Sequence, residues 1–161
     1  MKLLRSDESG FRFKISWEER EMLNVLQLYP LVPAAHHRLS KDRMLPNREE
    51  NQQLLEDALR AQREENRKLV LALLEEPERF VNCGDGYEAG FTRGEIEWLL
   101  QVLNDIRVGS WLALGSPDEH PEMKAGISRQ AMSRILTMEV AGHFEMCFLG
   151  AVGGDLPAGH D

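Results

Sequence analysis

Three ionisable side chains fall where apolar ones belong. In "EIEWLLQVLNDIRVGSWLAL", residues 95–114, the residues Ile96, Leu99, Leu100, Leu103, Ile106, Ser110, Trp111 and Leu114 share one side of a helical wheel. Arg107 falls near the middle of that side, and Asn104 at its boundary. In residues 128–152, Met132, Ile135, Leu136, Val140, Met146, Cys147 and Leu149 make the apolar side. Glu139 and His143 sit at its centre, one turn apart. A buried unpaired charge costs several kcal/mol or more. The economical expectation is an antiparallel helix pair joining Arg107 to Glu139, with His143 completing the network. The other chemistry open to Arg107, Glu139, His143 and Asn104 is a polar pocket for an anionic ligand or a partner's acidic side chain.

Other chemistries have weaker signals. Glu139 and His143 are metal-ligand types, but Glu-x3-His is not the Glu-x-x-His of di-iron bundles. There is no HExxH and no cysteine cluster, and His36, His37 and His120 fall in expected loops. No metal or cofactor is expected. "CGDGYEAG" (83–90) matches neither phosphate-loop pattern, and Asp85 and Glu88 would repel phosphate, so it reads as a glycine-rich turn. Cys83 has no neighbouring base, Cys147 reads as a core residue, and no GxSxG elbow is present. No catalytic residue is assigned.

These residues need elements to position them. "FRFKIS" (11–16) alternates like a strand, and "KLL" (2–4) across "SDESG" is its candidate hairpin partner. Ser16 and Glu19 form a capping box that opens a helix running to about Tyr29, with Pro30 and Pro33 beyond it. Residues 32–51 read as a connection. The longest helix runs from about Asn47, with Glu50 repeating the capping logic, to about Leu74. Its middle is poor in large apolar residues and is expected to lie on the surface. Residues 81–94 read as a loop, and Thr92 with Glu95 caps a third helix reaching Leu114. After a loop at 115–126, Ser128 opens a fourth helix to about Val152. The expectation is one mainly α-helical domain over 1–152, a bundle of about four principal helices with a short N-terminal strand or hairpin. Residues 153–161 are expected to be a flexible tail.

Trp98 and Leu112 lie off the main stripe of the third helix. Either another element covers them, making that helix central, or they mark a protein interface. The chain has 161 residues, 42% hydrophobic and 29% charged, with a formal net charge of −8. That charge disfavours nucleic acid and anionic membrane surfaces. The N-terminus is too polar for a signal peptide, and no run approaches the roughly 18 apolar residues of a span. Two cysteines far apart fit a reduced, cytoplasmic setting.

Residues 95–114 resemble the Trp-Leu…Leu-Asn-Asp-Leu-Arg-Leu segment of the DUF2017 family of bacterial proteins. Trp98, Leu99, Leu103, Asn104, Asp105, Ile106 and Arg107 carry the resemblance. A short strand entering a capped helix, a long middle helix and a final helix follow the family's order. The resemblance implies no activity and no catalytic residue. Some members resemble regulators encoded near the adaptor of an ATP-dependent protease, which implies an interaction role. The expectation is a small regulatory or adaptor-like protein that binds another protein, with a homo-oligomer possible. The alternative is an enzyme or ligand-binding protein using the Arg107, Glu139 and His143 pocket.

Overall fold

The computed structural model describes residues 1–33, 47–117 and 126–154. His36 and His37, His120, and the tail from residue 155 lie outside the described residues. Four helices dominate, and they pack with one four-stranded antiparallel sheet. The strands are β1 (Lys2–Asp7), β2 (Gly10–Ile15), β3 (Phe80–Asn82) and β4 (Tyr87–Phe91), in spatial order β1-β2-β4-β3. The helices are α1 (Trp17–Met22), α2 (Arg48–Glu75), α3 (Arg93–Ala113) and α4 (Arg129–Gly154).

The expected N-terminal hairpin is present, but the sheet is twice that size. The 81–94 segment, expected to be a loop, contributes β4 and the last two residues of β3. Register pairs Phe11 with Phe91, Phe13 with Ala89 and Ile15 with Tyr87. Alternation therefore puts Phe11, Phe13, Ile15, Ala89 and Phe91 on one buried face. The turn between β3 and β4 needs Gly86: its φ is +151°, and any Cβ there would strike the Ile15 carbonyl.

The capping boxes at Ser16–Glu19 and Thr92–Glu95 form as expected. The first helix is shorter than its pattern suggests, because residues Leu23–Leu28 tighten into a 3-10 helix that buries Leu23 and Leu26. Asn47 adopts a left-handed conformation and makes no side-chain cap, so the second expected capping box is absent. In α2 the buried residues Val70, Leu73 and Leu74 cluster in the last turns, while Leu54 is exposed. The middle of the helix is surface, as its composition suggests, with no residue of 58–69 buried, and its start is surface as well.

One partly buried network ties the sheet to the helices. Arg79, just after α2, donates from Nη2 to Glu95 Oε1 at 2.6 Å and from Nη1 to Glu95 Oε2 at 3.2 Å. It also donates to the Gly90 carbonyl at 2.7 Å and to Glu76 at 2.8 Å. Glu95 also caps α3, so one carboxylate holds a helix start and the end of α2 together. Desolvation opposes the charge on Arg79, but its bonds to Glu95 and Glu76 outweigh it and raise its pKa.

Candidate interaction surface and the polar sites beside it

The core turns on the face that α4 presents. Ile135, Thr137, Ala141, Phe144, Glu145, Phe148 and Ala151 are its buried positions. Phe148 meets Phe13 and Phe91 edge-on, with centroids 5.7 and 5.3 Å apart. Much of the face expected to be buried turns outward, although Ile135 is buried and Val140 packs half-buried against the core. Leu136, Met146 and Leu149 are 48%, 76% and 56% exposed. The helix is apolar almost all round, so periodicity does not choose its inner face. Two phenylalanines that fill the sheet's aromatic floor, flanked by alanines that let the backbones approach, decide it.

That rotation changes the fate of Arg107. It does not pair with Glu139 in the core. Its Nε lies 3.1 Å from Glu145 Oε2, and Nη2 donates to Asn104 Oδ1 at 3.4 Å. The arginine is 47% exposed while Glu145 is largely buried. Burial pushes the Glu145 carboxyl up, and Arg107 only partly offsets this. The buried side of α3 includes Val102 and Gly109, and so lies away from Arg107. It lies there because Leu31 and Val32 pack against that side. Glu139 is exposed on the outer face of α4.

His143 is also exposed, beside a different partner. Its Nε2 lies 2.8 Å from Glu19 Oε1. Glu19 is placed by its own capping role, with Oε2 accepting from the Ser16 amide at 3.0 Å. The Met1 amine also contacts Glu19 Oε1. Desolvation, and then the positive Met1 amine, lower the His143 pKa. The ring is therefore neutral near pH 7, and Nε2–H donates to Glu19. Cys147 Sγ is 4.0 Å from the same nitrogen. A nucleophile triad needs carboxylate and thiol on opposite ring nitrogens. Here both face Nε2, so the cluster is not assembled for thiol activation.

Asp105 falls opposite the main stripe of the α3 wheel, beside Trp98 and Leu112, and it carries a docking role there. Its Oδ1 accepts from the amides of Leu31 at 2.6 Å and Val32 at 3.2 Å. Arg63 Nη2 lies 3.9 Å from Oδ2. Gly109, one turn on, gives the Leu31–Val32 backbone room against α3. The "xD-x3-G" spacing was visible in sequence, but nothing there names the segment that docks. Trp98 packs half-buried against the core, and Leu112 is half-buried. The third helix is therefore covered on Trp98's side, and the large open apolar surface lies on α4.

An apolar groove of about 370 Å³ borders that surface, lined by Met22, Val25, Met132, Leu136 and Val140 among others. Among the described residues, α4 is also the one helix long and apolar enough to cross a membrane, which the sequence reading did not expect. No group of three or more His, Cys, Asp or Glu among the described residues could hold a metal ion. Comparison with family models, curated proteins and solved structures gave no match.

Proposed function

We propose that this chain is a small cytoplasmic regulatory or adaptor-like module, akin to DUF2017 proteins, that acts by binding another protein and not by catalysis. The observation that carries the reading is the outer face of α4. Leu136 lines the groove with Met22 and Val25, and Met146 and Leu149 stand in solvent further along the helix. Exposed large apolar side chains beside an apolar groove mark candidate interaction sites on soluble proteins. The ligand-pocket alternative has less support. Arg107 is drawn to Glu145, which lies about 120° around the helix from Glu139, so the charged groups do not converge on one cleft.

The test compares the immobilised chain with a Leu136→Glu/Leu149→Glu variant. Both positions are exposed, so the fold should survive. A protein retained by the first and lost by the second, then shown to bind in purified form, supports the reading. If both retain the same set and no purified pair binds, it fails.

A further inference from the structure

A second cavity, of about 290 Å³, lies against the middle of α2 and shares no lining residue with the α4 groove. Pro30 and Leu59 give it apolar walls, and Arg60, Arg63 and Arg67 line it too. Steps of three and four residues put the three arginines on one stripe of the helix, where like charges repel. Arg60 has Asp57 3.4 Å away. Among the described residues, Arg67 has no ion pair and no hydrogen bond.

Arg63 is the member that sits deepest. Its side chain is only 14% exposed. Its ion pair with Asp105 is long, 3.9 Å from Nη2 to Oδ2, which is outside hydrogen-bond reach. Asp105 uses its other oxygen, Oδ1, to accept from the Leu31 and Val32 amides. Nη2 is enclosed and has no hydrogen-bond partner among the described residues. Buried polar groups are ordinarily hydrogen-bonded, and a guanidinium is best satisfied by a two-oxygen acceptor. Arg63 is therefore a cation anchored at a fixed depth beside a cavity, with bonding capacity that Asp105 does not use.

We propose that this cavity binds a small organic carboxylate, held by Arg63 and Arg67, with its apolar body against Pro30 and Leu59. The lining chooses that class. Its three arginines outnumber Glu56 and Glu64 by one, which suits a monoanion better than a doubly charged phosphate. Glu56 is already engaged, accepting from Gln52 Nε2 at 2.9 Å. A planar carboxylate takes parallel bonds from a guanidinium fork. The volume is at the small end for ligand pockets, so the body is about the size of one ring or a short branched chain. Arg60, 76% exposed and shared with Asp57, attracts the anion from the rim. The site stands whether or not α4 binds a protein.

The experiment titrates sodium benzoate into the full chain at constant ionic strength. It follows the arginine Nε–H signals and the amides of residues 59–67 by NMR. The Arg63 and Arg67 signals should shift and saturate. Benzamide, the same shape without the charge, should leave them unmoved. Arg67→Gln changes an exposed position, so the fold should survive, and benzoate should bind about tenfold more weakly for the loss of one charge-assisted contact. The Leu136→Glu/Leu149→Glu variant should bind benzoate as the parent does, which keeps this test separate from that of the α4 surface. Shifts that never saturate, an equal response to benzamide, undiminished binding in Arg67→Gln, or tighter binding of inorganic phosphate than of benzoate would each overturn the proposal.

Discussion

Gly109→Ala and Gly142→Ala are the same chemical change in two helix interiors, and the structure predicts opposite signs. Alanine is favoured over glycine in a helix by about 1 kcal/mol. At Gly142 a new Cβ meets nothing within 4 Å. That substitution should stabilise by roughly 0.5–1 kcal/mol. At Gly109 a Cβ would come within 2.6 Å of the Leu31 carbonyl carbon and 2.8 Å of the Val32 nitrogen. Those are backbone atoms and cannot swing aside. Either α3 or the 31–32 segment must move, and overpacking of this kind costs about 1–3 kcal/mol. Movement also stretches the two amide bonds to Asp105, and hydrogen bonds to a charged group contribute about 1.5–3 kcal/mol each. Loss of even one outweighs the helix gain, giving a net loss of roughly 2–4 kcal/mol. Urea unfolding at low protein concentration measures both variants. A melting shift of about 2–4 °C per kcal/mol is expected for a chain of this size. Hydrogen exchange should quicken at the Leu31 and Val32 amides in Gly109→Ala. If Gly109→Ala proves as stable as the parent, with those amides still protected, the docking of this segment on α3 is misplaced.

Other consequences can be read from the same fold. Phe148→Ala should cost about 3–5 kcal/mol by calorimetry, since it empties the contact between α4 and the sheet. Arg107→Met should cost less than about 1 kcal/mol, because the arginine is half in solvent; a loss near that of Phe148→Ala would mean the pair is deeply buried. Ser110 is fully buried and its hydroxyl has no partner among the described residues, so Ser110→Ala should raise stability by roughly 1 kcal/mol in urea. The pH response has a defined sign at two groups. The raised carboxyl of Glu145 contributes stability that is full below its ordinary value of 4.5 and lost as pH climbs through the folded value. The lowered His143 acts in reverse, with stability full above its ordinary 6.5 and lost as pH falls through the folded value. Urea midpoints across pH should therefore change slope in Glu145→Gln near the acidic window, and in His143→Asn just below neutrality.

Local signals in the chain were readable where one element suffices to explain them. The alternation of Phe11, Phe13 and Ile15 specifies β2, and the Thr92–Glu95 spacing specifies the start of α3. The same period is present at Tyr87, Ala89 and Phe91, but glycines and acids between them read as a loop until β2 is seen beside them. What was hidden depends on how two elements turn against each other. The wheel of α4 puts Glu139 and His143 on one stripe with Leu136 and Met146, all four exposed, but it also assigns that stripe Ile135, which is buried. It does not say whether the stripe faces in or out, because Phe144 and Phe148 opposite are equally apolar. Pairing Arg107 with Glu139 inherits that ambiguity. Glu145 replaces it once the helix is rotated, and Glu19 joins His143 through a cap that sequence assigns a purely local task.

Among the described residues, the buried anchors of the long helix α2 lie toward its C-terminal end. Its anchors run from Arg63, beside Asp105, through Asn66, which donates to the Tyr29 hydroxyl at 3.4 Å, to Val70, Leu73 and Leu74. Ahead of Arg63 the helix has no fully buried residue among those described. An isolated helical stretch of that length is marginal in water. Its first half therefore draws less stability from buried packing than its second, much as a springboard is stiffest at its clamp. Opening should proceed inward from Arg48 without disturbing the sheet, at a free energy far below that of global unfolding. The protein thus has two tiers of stability along a single helix, and a protease or a binding partner that takes an extended chain would meet the upper tier first.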